Sequence, residues 1–264
     1  MRRALITGAS SGIGEAVAKL LAREGYSVAV LARRQEELER VRASLEPSRG
    51  SEHLVLPADL GDPDSIEGAL ECVRKAWGGL DLLVNNAGRG YRARVEEIVP
   101  DQLRAVFETN VTGLLLACRA ALPVLRSGDR PVVVNVSSVV GRRGIPGQAA
   151  YSASKAAVCS IGEALRVEWA EEGIAVCTLN PALTATGFFE AQANPAGLPH
   201  PDMSGASAAD DVAHEILSLD RNPRPERSLR WKWRLLGMIS VLSPRLADRL
   251  LVRRLGGGWS TPRR

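Results

Sequence analysis

The chain has 264 residues, 45% of them apolar and 24% charged, with a net charge of +4; such a composition forms a core and excludes a disordered protein. Positive charge is concentrated at one end: residues 227–264 carry ten basic residues against one acid, Asp248, for a net +9, and residues 1–226 carry −5, a split that excludes a globally basic nucleic-acid binder. No run approaches the ~18 uninterrupted apolar residues of a membrane span, and Ala4-Leu5-Ile6 leads straight into a glycine turn with no room for a leader, so a cytoplasmic protein is expected.

In chain order, β-rich runs are predicted near Ala4–Thr7, Ser27–Leu31, His53–Pro57, Leu80–Asn85, Pro131–Ser137 and Ile174–Leu179. Between them lie amphipathic helical runs near Ile13–Arg23, Glu36–Leu45, Ser65–Trp77, Leu103–Leu125 and Ala150–Glu171, with a further helix near Ala209–Leu217. This alternation predicts an α/β fold, a doubly wound parallel sheet of Rossmann type with helices on both faces. Continuous apolar strands such as VVVNV fit a sheet covered on both sides. The predicted organisation is a single domain over residues 1–226 and a basic helical extension over 227–264. Between them, Ala191–Ser207 is rich in Asn, Pro, Gly and Ser and reads as a long loop of the lid or binding type.

In the extension, Trp231, Leu235, Met238, Ile239 and Leu242 recur on one helical face. Ser243-Pro244 then reads as the cap and first-turn proline of a second helix. Arg230, Lys232, Arg234, Arg245, Arg249, Arg253 and Arg254 flank the stripe. Three partners suit such a face: the chain's own domain, a second subunit, or an anionic membrane surface, where each basic residue contributes roughly 1 kcal/mol. The four cysteines and three histidines are scattered without metal-ligand spacing; buried reduced thiols and no metal are expected.

Thr7-Gly8-Ala9-Ser10-Ser11-Gly12-Ile13-Gly14 follows the first strand and opens a helix. Glycines let backbone approach a pyrophosphate, and the helix N-terminus offers free N–H groups; the same residues also suit a plain tight turn. The second strand ends Ala32-Arg33-Arg34. An acid there suits the ribose hydroxyl of NAD, whereas an arginine fork suits the 2′-phosphate of NADP, with a solvated arginine pair as the plain alternative. Tyr151 and Lys155 stand at i and i+4 and share a helical face. A nearby ammonium lowers a phenol's pKa from near ~10, which makes the pair a proton donor and acceptor for a carbonyl or alcohol. Ser138 ends the strand VVVNV-Ser137 at the sheet edge where α/β folds bind ligands. Asn110, in the middle of a helical run, is locally unfavourable there, which hints at a task unless it faces solvent.

Taken in this order, TGASSGIG (Thr7–Gly14), DL (Asp59-Leu60), NNAG (Asn85–Gly88), Asn110, Ser138 and YSASK (Tyr151–Lys155) resemble the short-chain dehydrogenase/reductase family over about residues 1–220. The resemblance implies that Tyr151 is the acid/base and that Lys155 lowers its pKa and holds the nicotinamide ribose. It implies that Ser138 positions the substrate oxygen and that Asn110 supports a water relaying protons to Lys155. Gly8, Ser10, Ser11, Gly12, Ile13 and Gly14 would line the dinucleotide, and Asp59 and Leu60 would approach the adenine. Asn86, Ala87 and Gly88 would form the cofactor edge, with Pro181, Thr184 and Thr186 on the nicotinamide side. Ala182 stands where the family has glycine.

The expected protein is an NADP(H)-dependent oxidoreductase interconverting a carbonyl and an alcohol, with Arg33 selecting NADP(H) over NAD(H). Apolar residues beside the motifs, Val139, Val140, Ile145, Leu183, Phe188 and Phe189, point to a lipophilic substrate. Arg89 and Arg142 offer an anionic contact or are solvated. A homodimer through the long helices is expected, and the usual tetramer of the family is not. The alternatives are an NADP(H)-binding sensor or scaffold without turnover, which needs no Tyr–Lys pair, and an epimerase or dehydratase on the same fold.

Overall fold

The structure, a computed structural model, describes residues 1–255; residues 256–264 of the predicted extension lie outside the described residues. The elements in chain order begin β1 (Arg3–Thr7), α1 (Gly12–Arg23), β2 (Ser27–Ala32), α2 (Gln35–Ala43), β3 (Leu54–Pro57), α3 (Pro63–Trp77) and β4 (Leu82–Asn85). A long helical stretch follows as α4 (Pro100–Phe107), one π-helical turn (Glu108–Thr112) and α5 (Gly113–Arg126). Then come β5 (Val132–Val136), α6 (Ala149–Glu168), β6 (Ala175–Asn180), the short β7 (Thr184–Ala185), α7 (Phe188–Ala191) and β8 (Ser207–Ala208). The chain continues through α8 (Ala209–Arg221), β9 (Glu226–Ser228), α9 (Trp231–Leu242) and α10 (Pro244–Leu255).

Among the described residues, a seven-stranded, all-parallel sheet runs in the order β3-β2-β1-β4-β5-β6-β9. Because side chains alternate along a strand, Ala4 and Ile6 of β1 enter one apolar layer and Leu5 the other. The first layer packs α1 and α8, through residues such as Val17, Leu21 and Ile216, on the sheet. The second packs α3, α5 and α6, through Ile66, Ala117 and Val158, on the opposite face. Each buried Val, Leu or Ile in these layers contributes roughly 1.5–3 kcal/mol. Strand order reverses between β1 and β4, which opens a crevice beyond their carboxyl ends, the usual ligand position in such sheets.

The predicted strands and helices are present with shifted ends. The long run predicted over Leu103–Leu125 is interrupted by the π turn at Glu108–Thr112, and the helix predicted to reach Glu171 stops at Glu168, before turns that end in Gly173 at φ 68°. The predicted boundary at residue 227 falls inside β9, whose residues pair with Thr178–Asn180 and complete the sheet. Cys118, Cys159 and Cys177 are buried, but Cys72 is exposed, because the inward stripe of α3 is Ile66, Ala69, Leu70, Val73 and Trp77. Most of the apolar stripe predicted in the extension faces outward: Trp231, Leu235, Met238 and Leu242 are exposed and Ile239 is half-buried.

The amino end of β1 is fixed by a buried carboxylate. Asp81 accepts from the Arg3 backbone N–H (2.7 Å), the Arg3 guanidinium (2.8 and 3.0 Å) and the Asp129 N–H (2.7 Å). Burial opposes the charge, but the Arg3 guanidinium and these N–H donors outweigh it and hold the carboxyl below its ordinary range. A depressed carboxylate stabilises the fold above its unfolded pKa, and that contribution is lost as pH falls through the folded value. Asp81→Asn is therefore expected to lower stability in urea unfolding at pH 7 by roughly 3 kcal/mol, the scale for breaking a buried pair. The deficit should shrink as both proteins are acidified. Equal stability at pH 7 would show that this pair does not hold the strand.

Candidate active site

The crevice starts at the turn between β1 and α1. Gly8 and Gly12 adopt positive φ, 66° and 58°, which glycine takes without strain. A Cβ on Gly8 would lie 2.7 Å from the Ala87 Cα, and one on Gly14 would lie 2.3 Å from the Gly8 carbonyl oxygen. Glycine is thus required here by close approach of the backbone. The strand-four motif laces the turn. Asn86 Nδ2 donates to the Thr7 and Gly8 carbonyls (3.0 and 3.2 Å), and the Asn86 and Ala87 N–H groups both donate to Thr7 Oγ1 (3.0 Å each). Thr7, not singled out from the sequence beyond its place in the motif, is the hinge of this network. Ser11 caps α1 without a side-chain hydrogen bond, so the first N–H groups of the helix, at Gly12, Ile13 and Gly14, face the crevice as anion donors.

Arg33 follows β2 and is exposed, with a guanidinium that makes no hydrogen bond or ion pair among the described residues. Asp59, after β3, is exposed and accepts from the Gly61 N–H at 3.0 Å. Leu60, expected near the adenine, has its side chain buried in the second apolar layer. Ser10 is half-buried, and its carbonyl accepts from Arg40, which also binds Glu15. A glycine cradle that a Cβ would fill and uncapped helix N–H groups together fit a nicotinamide dinucleotide.

Beyond β5 and along α6 lie Ser138, Tyr151 and Lys155. Ser138, half-buried, caps the short turn Val139–Gly141 by accepting from the Val140 N–H at 3.3 Å. Tyr151 is half-buried, and Lys155 is only 4% exposed. Lys155 Nζ donates to the Val136 carbonyl at 2.9 Å, which leaves two of its three protons for other acceptors. Ser137, which the sequence reading passed over, donates to the Lys155 carbonyl at 2.8 Å and braces the helix. Gly141 is glycine because a Cβ there would lie 2.7 Å from that same carbonyl. Burial pushes the Lys155 amine down to about 8.

The expected lowering of Tyr151 by Lys155 is absent in this state. Burial pushes the phenol up, and the Ser138 hydrogen bond works only partly against it. Lys155 Nζ lies 6.0 Å from the Tyr151 ring centroid and turns to the Val136 carbonyl, so removal from water outweighs the charge. Asn110 is 1% exposed and sits on the π turn, a distortion common at functional sites. Its amide accepts from the Arg89 N–H (2.7 Å) and donates to the Arg89 carbonyl (3.0 Å) and Ser154 Oγ (2.9 Å). Asn110 therefore ties the segment after Gly88 to α6, and its own amide has no free donor for a water. Ser154 was missed although it lies inside the YSASK motif.

The opposite wall comes from the segment after β6. Pro181 is buried and accepts from the Val139 N–H at 3.0 Å, and Thr184 is buried and donates to the Ala182 carbonyl at 3.1 Å. Thr186 sits over the glycine turn, where a Cβ on Gly12 would lie 3.3 Å from its Cβ. Phe188 places its ring 5.8 Å from Tyr151 and stands edge-on to Phe189 at 5.5 Å. Ile145, Leu183, Phe188 and Phe189 are half-buried, whereas Val139 and Val140 belong to the core. Arg142 is no anion contact: it is engaged by Glu163 and Glu226 at 2.8 and 2.7 Å. Arg89 remains exposed. Arg92, which nothing in the sequence marks, has Nε and Nη1 buried without partners among the described residues, and its backbone N–H donates to the Ala193 carbonyl.

Residues 2–196 match the short chain dehydrogenase family. The chain is 34% identical over 243 residues to the dehydrogenase/reductase SDR family protein 7-like of Anopheles gambiae, covering 86% of this chain and 77% of that protein. In structure it is similar to the alcohol dehydrogenase of the archaeon Thermococcus sibiricus, solved with 5-hydroxy-NADP, at TM-score 0.78 and 29% identity over 87% of this chain and 96% of that one. The 3-ketoacyl-(acyl-carrier-protein) reductase of Brucella melitensis, solved with NADH, superposes at TM-score 0.77 and 29% identity, over 86% and 96% of the two chains.

Two glycines separate close approach from simple backbone freedom. Gly14→Ala drives a Cβ into the Gly8 carbonyl and Asn86 and is expected to lower stability by about 1–3 kcal/mol. Gly68, inside α3, has nothing within 4 Å of its Cβ position, so Gly68→Ala should stabilise by about 0.5–1 kcal/mol. Thermal unfolding of both variants checks the pair; two changes of the same sign would refute the packing of the turn.

Proposed function

This chain belongs to the short-chain dehydrogenase family of oxidoreductases, and from that premise we propose that it interconverts a carbonyl and an alcohol with NADP(H) in preference to NAD(H). The observation that carries the reading is the convergence of Ser138, Tyr151 and a buried Lys155 at the carboxyl edge of the sheet. Gly8, Gly12 and Gly14, the start of α1, Asn86 and Thr186 would hold the dinucleotide, with Arg33 on its 2′-phosphate. When bound, the reduced cofactor supplies the hydride.

The chain's own residues handle the proton. Burial keeps the Tyr151 phenol protonated at neutral pH, which is the form that donates to a carbonyl oxygen as the carbon is reduced. The hydroxyl of Ser138 hydrogen-bonds the same oxygen and fixes it against Tyr151. Loss of the proton leaves a phenolate, which the Lys155 ammonium stabilises and reprotonates; in oxidation the same steps run backwards. Phe188 beside Tyr151, with Phe189 packed on Phe188, gives the substrate side an apolar wall that favours a lipophilic substrate.

Oxidation of NADPH, followed by absorbance with a panel of lipophilic ketones and aldehydes, tests the assignment; a protein that binds the cofactor and reduces nothing in the panel would be a sensor instead. Tyr151→Phe is expected to abolish turnover while leaving cofactor affinity within about two-fold, since the phenol acts on the reacting oxygen; near-normal turnover would remove the tyrosine from the chemistry. Arg33→Ala should weaken NADPH by about ten-fold or more and NADH little, from the roughly 1.5–3 kcal/mol of a charge-assisted hydrogen bond. Tighter NADH than NADPH binding by the wild type would overturn the preference. Because the Lys155 amine is held at about 8, its ammonium is lost as pH rises through that value. The kcat/KM for reduction should therefore fall above about pH 8, and a flat profile from pH 7 to 9 would exclude the ammonium from proton delivery.

A further inference from the structure

Helix α9 is apolar on both sides. Leu236 and Gly237 face the protein, with Gly237 so close that a Cβ would lie 3.4 Å from the Cβ of Arg142. On the other side Trp231, Leu235, Met238 and Leu242 fall at i, i+4, i+7 and i+11, within roughly 60° of one another at 3.6 residues per turn. That stripe is bare: Trp231 is 68% and Leu242 85% exposed, with Leu235 and Met238 also exposed and Val241 beside them. On α10, Ala247 and Leu251 are buried and Leu246 and Leu250 face out. An apolar helix face this wide is ordinarily covered. Here one side has no cover among the described residues.

The charge around the stripe is of one sign. Lys232, Arg234, Arg245, Arg249, Arg253 and Arg254 are all exposed, and none meets a carboxylate among the described residues. The one acid of the two helices, Asp248, is taken by Arg143. Arg254 lies over the Trp233 ring and Lys232 over the Trp231 ring, at 5.1 and 5.8 Å.

We infer that the outer face of α9 and α10 is a docking surface for an anionic lipid bilayer, on which the helix pair lies in the plane of the interface. Each helix has twelve residues, far short of the ~20 needed to span a bilayer. Apolar side chains with flanking Lys and Arg and a tryptophan at one end are what the headgroup boundary accepts. A second copy of the chain fits less well, because a two-fold contact would set this face against itself and oppose six unpaired cations to the same six.

The face is tied to the crevice at three points. Gly237 rests on Arg142, Asp248 pairs with Arg143, and Arg230 donates to the Gly205 carbonyl of the long loop at 2.6 Å. Arg142 and Arg143 lie on the segment that joins Ser138 to Tyr151. Docking therefore sets the substrate side of the crevice close to the lipid, a natural supply for an apolar carbonyl. The docking itself stands independently of the reaction proposed above.

The test is flotation of the full chain with vesicles of phosphatidylcholine alone and of phosphatidylcholine with about one-third phosphatidylserine, at low and high salt. The expected result is binding to the anionic vesicles at low salt, at least ten-fold over neutral ones, and its loss at high salt. Each arginine near the surface is worth roughly a five-fold change in partition. The triple variant Arg245→Glu, Arg249→Glu, Arg253→Glu is therefore expected to lower binding by more than ten-fold, with circular dichroism and NADPH binding unchanged. Met238→Glu with Leu242→Glu should do the same through the apolar stripe. Absence of flotation with anionic vesicles at low salt, or equal binding to neutral vesicles that ignores both variants, would overturn the proposal. So would a dimeric mass in solution that Met238→Glu with Leu242→Glu converts to a monomer, which would make the face a subunit interface.

Discussion

A lysine amine held out of water at the carboxyl edge of a parallel sheet sets the terms for the rest of the site. An uncompensated buried ammonium is expensive, and Lys155 is accommodated by several neighbours together. The Val136 carbonyl at the end of β5 takes one proton, and Ser137 on the same strand end fixes the backbone of α6 beneath the side chain. Gly141 is bare so that the turn after Ser138 can lie against the same helix. Asn110 on its π turn holds Arg89 and Ser154 together, so Gly88 and α6 keep a constant spacing on the other side. The price of this arrangement appears in the amine, pushed down to about 8, and it leaves two donors for whatever enters the crevice.

Much of this was legible in the sequence, because it is carried by local order. Alternating apolar periods gave the parallel sheet, and the ordered set from Thr7 to Lys155 gave the crevice and most of its side chains. What was not legible depends on long-range sums. The π turn at Glu108–Thr112 has no period that separates it from an α-helix. Lys155 was expected to lower Tyr151, yet burial acts on both groups and sends the phenol up. Arg142 reads as a free cation until Glu163 from α6 and Glu226 from β9 are brought to it by the fold. Leu60 belongs to the motif by position and to the core by direction. Periodicity also picked out a stripe on α9 without saying which way it faces; the opposite side, with Leu236 and Gly237, is the one that meets the domain.

The extension touches the crevice at a few points. Arg230 joins the start of α9 to the long loop, Gly237 of α9 rests on Arg142, Asp248 of α10 pairs with Arg143, and Phe188 places its ring beside Tyr151 from the segment that leads into that loop. The aromatic pair Phe188 and Phe189 stands on the α7 side of the crevice, while Ser138 and Lys155 lie at the sheet edge.

On the proposed reading, a hydride reaches a carbonyl carbon while Tyr151 protonates its oxygen. Isotope transfer tests it most directly. The chain is supplied with a lipophilic ketone and NADPH carrying deuterium at both positions of the reactive carbon of the nicotinamide, and the product is read by mass spectrometry and by the configuration of its carbinol carbon. The account predicts an alcohol with one deuterium on the carbinol carbon, transferred to a single face. Alcohol that carries only solvent hydrogen at that carbon, or label that stays in the dinucleotide while substrate is consumed, would contradict it.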